Sequence, residues 1–208
     1  MILTKELSQV TLEKSEENVT SKTGLSFVYH SMKDFGLNDS INDIFSHYRK
    51  KSNREIEPEK KIIASCLSTI AGGERVSDLE VLRADKAFLG SIGWDSMVSQ
   101  DALHEWMGFS RNGARVRRII EASALETMIK SELKKFIYDN DAMYYESDKN
   151  SAAYSYHKTK EFSGLLGFLP ELGICNTVDF RPGNISPCTG VFNQLRKANK
   201  QAKSVGKK

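Results

Sequence analysis

Between residues 25 and 48, apolar side chains fall at Phe27, Val28, Met32, Phe35, Leu37, Ile41, Ile44 and Phe45. Steps of three and four mark an amphipathic helix, because one turn takes about 3.6 residues. Gly36 interrupts the run, and the following LNDS predicts a capped second helix. A charged connection, KKSNREIEP, leads to a helix over 59–70 with Ile62, Ile63, Cys66, Leu67 and Ile70 as its buried stripe. Gly72-Gly73 ends it. In SDLEVLRAD, Ser77 stands at an N-cap position with Glu80 three residues on, which predicts a capping box. Further helices are expected over 100–107, capped by Ser99, and over 113–136.

After Lys134 the period shortens towards two. KKFIYDND reads as a strand with Ile137, Asp139 and Asp141 on one face and Phe136, Tyr138 and Asn140 on the other. SAAYSYHKTKEF is a polar stretch rich in tyrosine and lysine. GLLGFLPELGICNTVDFRPGN predicts a hairpin, with strands over 165–169 and 174–181 around a turn at Pro170-Glu171-Leu172-Gly173. Pro182-Gly183-Asn184 closes its second strand. Residues 189–202 are then helical, with Val191, Phe192, Leu195 and Ala198 facing inward. The expected class is α+β: a helical first part, then three strands and a helix.

The 208 residues are 39% hydrophobic and 27% charged, which fits a globular chain and excludes a disordered one. No apolar run approaches the roughly 20 residues of a membrane span, and MILTKELSQVTLEKSEENVTSK lacks a secretory core, so a cytoplasmic protein away from membranes is expected. Cys66, Cys175 and Cys188 are odd in number and widely spaced, a pattern of reduced thiols rather than disulfides or a zinc site. The net charge of +3 is uneven. Residues 151–208 hold nine basic side chains against three acidic ones, leaving −3 for the rest. A basic end suits a polyanion, and it equally suits a solvated charged helix. Arg111, Arg115, Arg117 and Arg118 cluster where a phosphate backbone can lie, or where an exposed helix carries its charges. The helix over 100–107 presents Gln100, Asp101, His104 and Glu105, either to a DNA groove or simply to solvent as one packed helix among several.

Close carboxylates at a strand end have two common uses. They hold a hard divalent cation, or they share a proton in acid–base work. The proton-sharing arrangement of aspartic proteases needs a glycine after the Asp, which DNDAM lacks. A metal site needs a rigid strand end and further carboxylates from elsewhere. Such a site activates water or a 3′ hydroxyl for in-line attack on a phosphodiester.

Four stretches carry a family resemblance: AGGERVSDLEVLRADKAFLGSIG, VSQDALHEWM, FIYDNDAMYYESDK and YSYHKTKEFSGLLGFLPELGICNTVDFRPGNISPCTG. Together they resemble the N-terminal portion of a bacterial insertion-sequence transposase of the DDE type, whose catalytic domain has a ribonuclease-H-like fold. The resemblance implies a flexible segment over 1–24, a helical DNA-binding or dimerisation domain over 25–130, and the first half of a ribonuclease-H-like domain over 131–208. It implies that Asp141 is a catalytic, metal-binding carboxylate for Mg²⁺, with Asp139 as a supporting group or the alternative ligand. Met143 stands where the family has Thr. Tyr156, His157, Lys158 and Lys160, beside Tyr154, fall in a basic-aromatic segment that implies contact with the DNA backbone. Arg181, Gly183 and Asn184 match a strand-end motif, which a plain turn also explains.

The family's second Asp and its Glu lie on later elements, and this chain ends at Lys208. The expectation is therefore a truncated transposase, inactive alone, whose first strand lacks a neighbour on one edge. Its implied partners are the double-stranded DNA of terminal repeats and a second copy or a full-length transposase. The alternative reading is a DNA-binding or dimerising regulatory fragment without catalysis.

Overall fold

The structure, a computed structural model, describes residues 19–48 and 52–207, apart from the side chains of Ser110 and Arg111. Most of the segment expected to be flexible, residues 1–18, lies outside the described residues. Helices α1 (Thr23–Asp34) and α2 (Leu37–Ile44) meet at Gly36, whose φ of 75° is easy for glycine alone. LNDS therefore sits inside α2 rather than capping it. Helix α3 (Pro58–Ile70) starts on a proline and buries Ile62, Ile63 and Leu67, while Ile70, its last residue, is exposed.

The expected capping box at Ser77 is replaced by a tighter device. The Asp78 carboxylate accepts the backbone N–H groups of Glu74 and Arg75, each at 2.9 Å, and these bonds hold its pKa below the usual value. A 3-10 turn (Val76–Asp78) precedes α4 (Leu79–Ala84). Glu80 serves α6 instead, accepting the Gln100 N–H at 2.8 Å. Asp85 caps α5 (Lys86–Ser91), and Ser99 caps α6 (Gln100–Met107) as expected. Helix α7 (Ser110–Lys130) stops short of residue 136, because Ser131 turns extended and its hydroxyl holds the Leu133 N–H.

One apolar cluster joins α1 to α7, with Ile63, Leu67, Leu79, Leu82 and Phe88 almost fully buried. Each such side chain stabilises the fold by roughly 1.5–3 kcal/mol relative to exposure. Ile119 is the last residue of that cluster, yet α7 continues. Its second half buries Ala124 and Met128, and Met128 shares a cleft with Leu169 and Ala198 of the sheet region. The same helix thus belongs to both parts.

The sheet is antiparallel throughout, with β1 (Asp139–Glu146), β2 (Ala153–Tyr154), β3 (Lys160–Leu169) and β4 (Ile174–Pro182). Strand β3 is central. On one side it pairs with β1, from Asp139 opposite Phe168 to Glu146 opposite Glu161. On the other side it pairs with β4, and β2 continues that edge beyond Phe162. A bulge lies in β4 between the partners of Gly167 and Phe168. Two boundaries differ from expectation: β1 begins near where the strand was to end, and β3 starts at Lys160 rather than at residue 165. The added stretches, residues 142–146 and 160–164, pair with each other and mix polar with apolar side chains.

Helix α8 (Val191–Ser204) packs on the sheet through Gln194, Ala198 and Ala202. Phe192 and Leu195, expected inside, are exposed. Asn140 and Thr177 lie beneath the start of α8, where Gln194 meets them, while Ala198 and Ala202 sit in the cleft with Met128 and Leu169. No helix among the described residues is long and apolar enough to cross a membrane.

Candidate metal and nucleic-acid site

Alternation along β1 gives its two faces opposite jobs. Tyr138, Asn140, Ala142 and Tyr144 turn towards the helix-covered side, while Asp139, Asp141, Met143 and Tyr145 are exposed on the other. The two aspartates therefore share one face, as expected, but open the strand instead of closing it. The backbone N–H of Ala142 donates to Asp141 Oδ1 at 2.8 Å, which leaves the second oxygen of that carboxylate for another partner. Opposite the pair on β3 stand Leu166 and Phe168. Two oxygen donors on a strand suit a hard cation such as Mg²⁺, which keeps much of its water and takes one or two carboxylates. Among the described residues, no group of three or more His, Cys, Asp or Glu side chains is placed to hold a metal.

The inner face explains why this strand end is rigid. Asn140 Nδ2 donates to Leu166 O at 3.1 Å and to Gln194 Oε1 at 2.6 Å. The Thr177 hydroxyl donates to Gln194 Oε1 at 3.0 Å, and Gln194 Nε2 donates to Leu165 O at 3.0 Å. The Tyr138 hydroxyl joins Thr177 at 2.7 Å. Gln194 thus ties α8 to β1, β3 and β4 at once, in the row that carries Asp139 and Asp141 on its far side. Gly167 has no room for a side chain, because a Cβ there would run into the hydroxyls of Tyr138 and Thr177. Sequence reading missed this network. Its only signal was a polar Gln on the expected inward side of a helix.

The basic-aromatic residues lie at the other end of β1. Tyr156, His157 and Lys158 form the turn between β2 and β3, and Lys160 opens β3 opposite Tyr154. All but Lys160, which is half-buried, are exposed. Glu161, which sequence reading passed over, is only 5% exposed and anchors the turn: Thr159 Oγ1 donates to it at 2.8 Å and His157 Nδ1 lies 3.2 Å from it. Hydrogen bonds from Ser155, Thr159 and His157 hold its pKa below the usual carboxylate value, against the pull of burial. Because they lie at opposite ends of the β1–β3 pair, the aspartates and the basic residues are not brought together.

The arginines divide. Arg115 stacks over Phe45 at 5.3 Å and bonds Asn112 at 3.3 Å; Arg117 pairs with Asp179 of β4 at 3.4 Å. Arg118 is exposed. The Arg111 side chain is outside the described residues. Helix α6 buries Leu103 and Trp106 and shows Asp101, His104 and Glu105 to solvent, an acidic face poorly matched to phosphate. Arg181 clamps the loop before α8, donating to the carbonyls of Pro187 and Thr189, and Gly183 lets the backbone approach Glu161 O, which its N–H reaches at 2.9 Å. That strand-end motif is accounted for by folding.

The fold and site define an α+β protein whose antiparallel sheet presents a carboxylate pair from an edge strand. Residues 4–206 match the family model described as Transposase DDE domain group 1, and the chain belongs to that family. The family has a role in DNA transposition, binds DNA and generally uses a divalent metal. No curated protein and no solved structure matches the chain.

Proposed function

We propose that this chain supplies the DNA-holding part and the first metal ligands of a DDE transposase of ribonuclease-H-like fold. The observation that carries the reading is the placement of Asp139 and Asp141 on the open face of a pinned strand, within a chain of that family. The order β1, β3, β4 followed by α8 supports the ribonuclease-H-like assignment, since it is a three-stranded meander leading to a helix. Asp141 is the metal ligand and Asp139 its neighbour on the same face. DNA backbone contacts fall to His157 and Lys158 with Tyr156, and to Arg118, because Arg115, Arg117 and Lys160 are already engaged with protein groups.

When bound, Mg²⁺ supplies charge stabilisation at the phosphodiester; the protein's share is to hold two oxygen donors at a fixed strand position. Two carboxylates do not satisfy a pair of cations. The 208-residue polypeptide accordingly binds DNA without cutting it. Two measurements test this. Mn²⁺ added to the labelled protein should broaden the amides of residues 140–142 first, and Asp141→Asn should remove that effect. Broadening that ignores the substitution would move the metal site elsewhere. Mg²⁺-dependent nicking of plasmid by this chain, lost in Asp141→Ala, would overturn the claim that it does not cleave.

A further inference from the structure

The turn between β2 and β3 has a backbone form that ordinarily calls for glycine. Ser155 N–H donates to Thr159 O at 2.9 Å, and Lys158 N–H to Ser155 O at 3.1 Å. Three residues, Tyr156 to Lys158, lie between this bonded Ser155–Thr159 pair, and the last of them is in the left-handed region. That residue is Lys158, with φ 64°, and it is the sole non-glycine of positive φ among the described residues. A Cβ crowds its own backbone there, so glycine would fold more easily. A long cation is kept at the tip instead.

The rings around it are held just as firmly. Tyr156 and His157 lie 3.9 Å apart by ring centroids, and Tyr144 meets both edge-on, at 5.3 Å and 5.0 Å. Glu161 fixes the same turn from inside. Even so, Tyr156 remains 69% exposed and Tyr154 71% exposed, with Lys149 and Lys158 also exposed nearby in the chain. A strained and internally braced turn is holding aromatic faces out of the core, among cations.

We propose that this tip takes an unpaired nucleotide of single-stranded DNA, its base stacked on Tyr156 and its flanking phosphate facing Lys158. The chemistry separates this from duplex binding. A duplex offers lysine its phosphates but keeps its base faces stacked, whereas an aromatic side chain gains only from a base that has left the stack. The inference rests on the reading of the chain as a DNA-handling protein.

Fluorescence anisotropy with the whole chain tests it, using a blunt labelled duplex and the same duplex carrying a short 3′ oligothymidine tail. The tailed duplex should bind about tenfold more tightly, the usual scale for stacking one base on an aromatic side chain. Tyr156→Ala should bring the ratio of the two affinities close to one, and Tyr156→Trp should keep it. Lys158→Gly should weaken tailed-DNA binding without lowering the melting temperature, since it relieves the backbone. Equal affinity for the two DNAs, or a ratio unchanged in a folded Tyr156→Ala protein, overturns the inference and leaves the DNA-binding reading standing. Binding to neither overturns both.

Discussion

Tyr48 donates its phenolic proton to Glu55, and the same carboxylate receives Lys61 Nζ at 3.1 Å. Lys61 is only 3% exposed and lies within 6 Å of the rings of Tyr48 and Trp106, at 5.9 Å and 5.7 Å. Burial first, and the bond to Glu55 second, push the Tyr48 phenol up to about 12. An unfolded tyrosine loses its proton near pH 10, at roughly its ordinary value. The folded state binds the extra proton between those values, so this contribution is complete below about pH 10 and disappears as pH rises to about 12. Urea midpoints followed by circular dichroism should fall more steeply over that interval in the native protein than in Tyr48→Phe. Parallel curves would remove Tyr48 from the account. Single side chains were unevenly legible beforehand. The Ser99 cap follows from its own neighbourhood, whereas the Asp78 cap depends on a 3-10 turn that the sequence does not announce. Glu161 shows its role only once the turn brings residues 155, 157 and 159 around it.

At the scale of elements, β1 is the exposed edge of the sheet: β3 is its only partner among the described strands. Alternate amides of an edge strand point away from the ladder, and an open edge invites pairing with another chain. Hydrogen exchange on dilute protein should therefore show alternate β1 amides exchanging quickly while β3, paired on both sides, stays protected throughout. Uniform protection of β1 that grows with protein concentration would instead reveal self-association through that edge. The helices of the first part were readable because their apolar spacing matches the helical turn and Gly36 and Gly72 punctuate them. The strands were harder. In DNDAMYYE and KEFSG the usual alternation is inverted in places, because polar Asn140 and Ser163 look inward while apolar Met143 and Phe162 look outward. Alternation in hydropathy cannot mark such a strand. In α8 periodicity favours burying Phe192 and Leu195, but Asn140 and Thr177 below select Gln194. The aspartate pair was visible from spacing alone, and its meaning came from the family resemblance.

The molecule as a whole is organised around α7. Its first half completes the helical core through Ile119, and its second half buries Met128 beside the sheet, with Glu121 accepting Lys197 Nζ at 3.2 Å from α8. A boundary drawn at residue 130 therefore falls at the end of an element that both parts use. Met128→Ala leaves a cavity in the second core and should cost about 2–5 kcal/mol. Because Trp94 and Trp106 both lie in the first core, their fluorescence should shift at the same denaturant concentration as the circular dichroism of the whole chain, in the variant as in the native protein. Two separate transitions would show that the parts unfold independently. Outside these cores, Met143, Tyr145, Phe168 and Phe180 leave the carboxylate-bearing face of the sheet partly apolar and open.

The shared helix also acts as a ruler. Its 21 residues measure roughly 30 Å at about 1.5 Å per residue. A helix anchored at both ends can neither stretch nor twist freely. Whatever the helical core grips and whatever the sheet grips are consequently kept at one separation and one rotational phase. Inserting four residues into α7 would move one grip by about one helical turn, roughly 6 Å, relative to the other. The length of a single element would then set the spacing and the rotational phase between the helical core and the sheet.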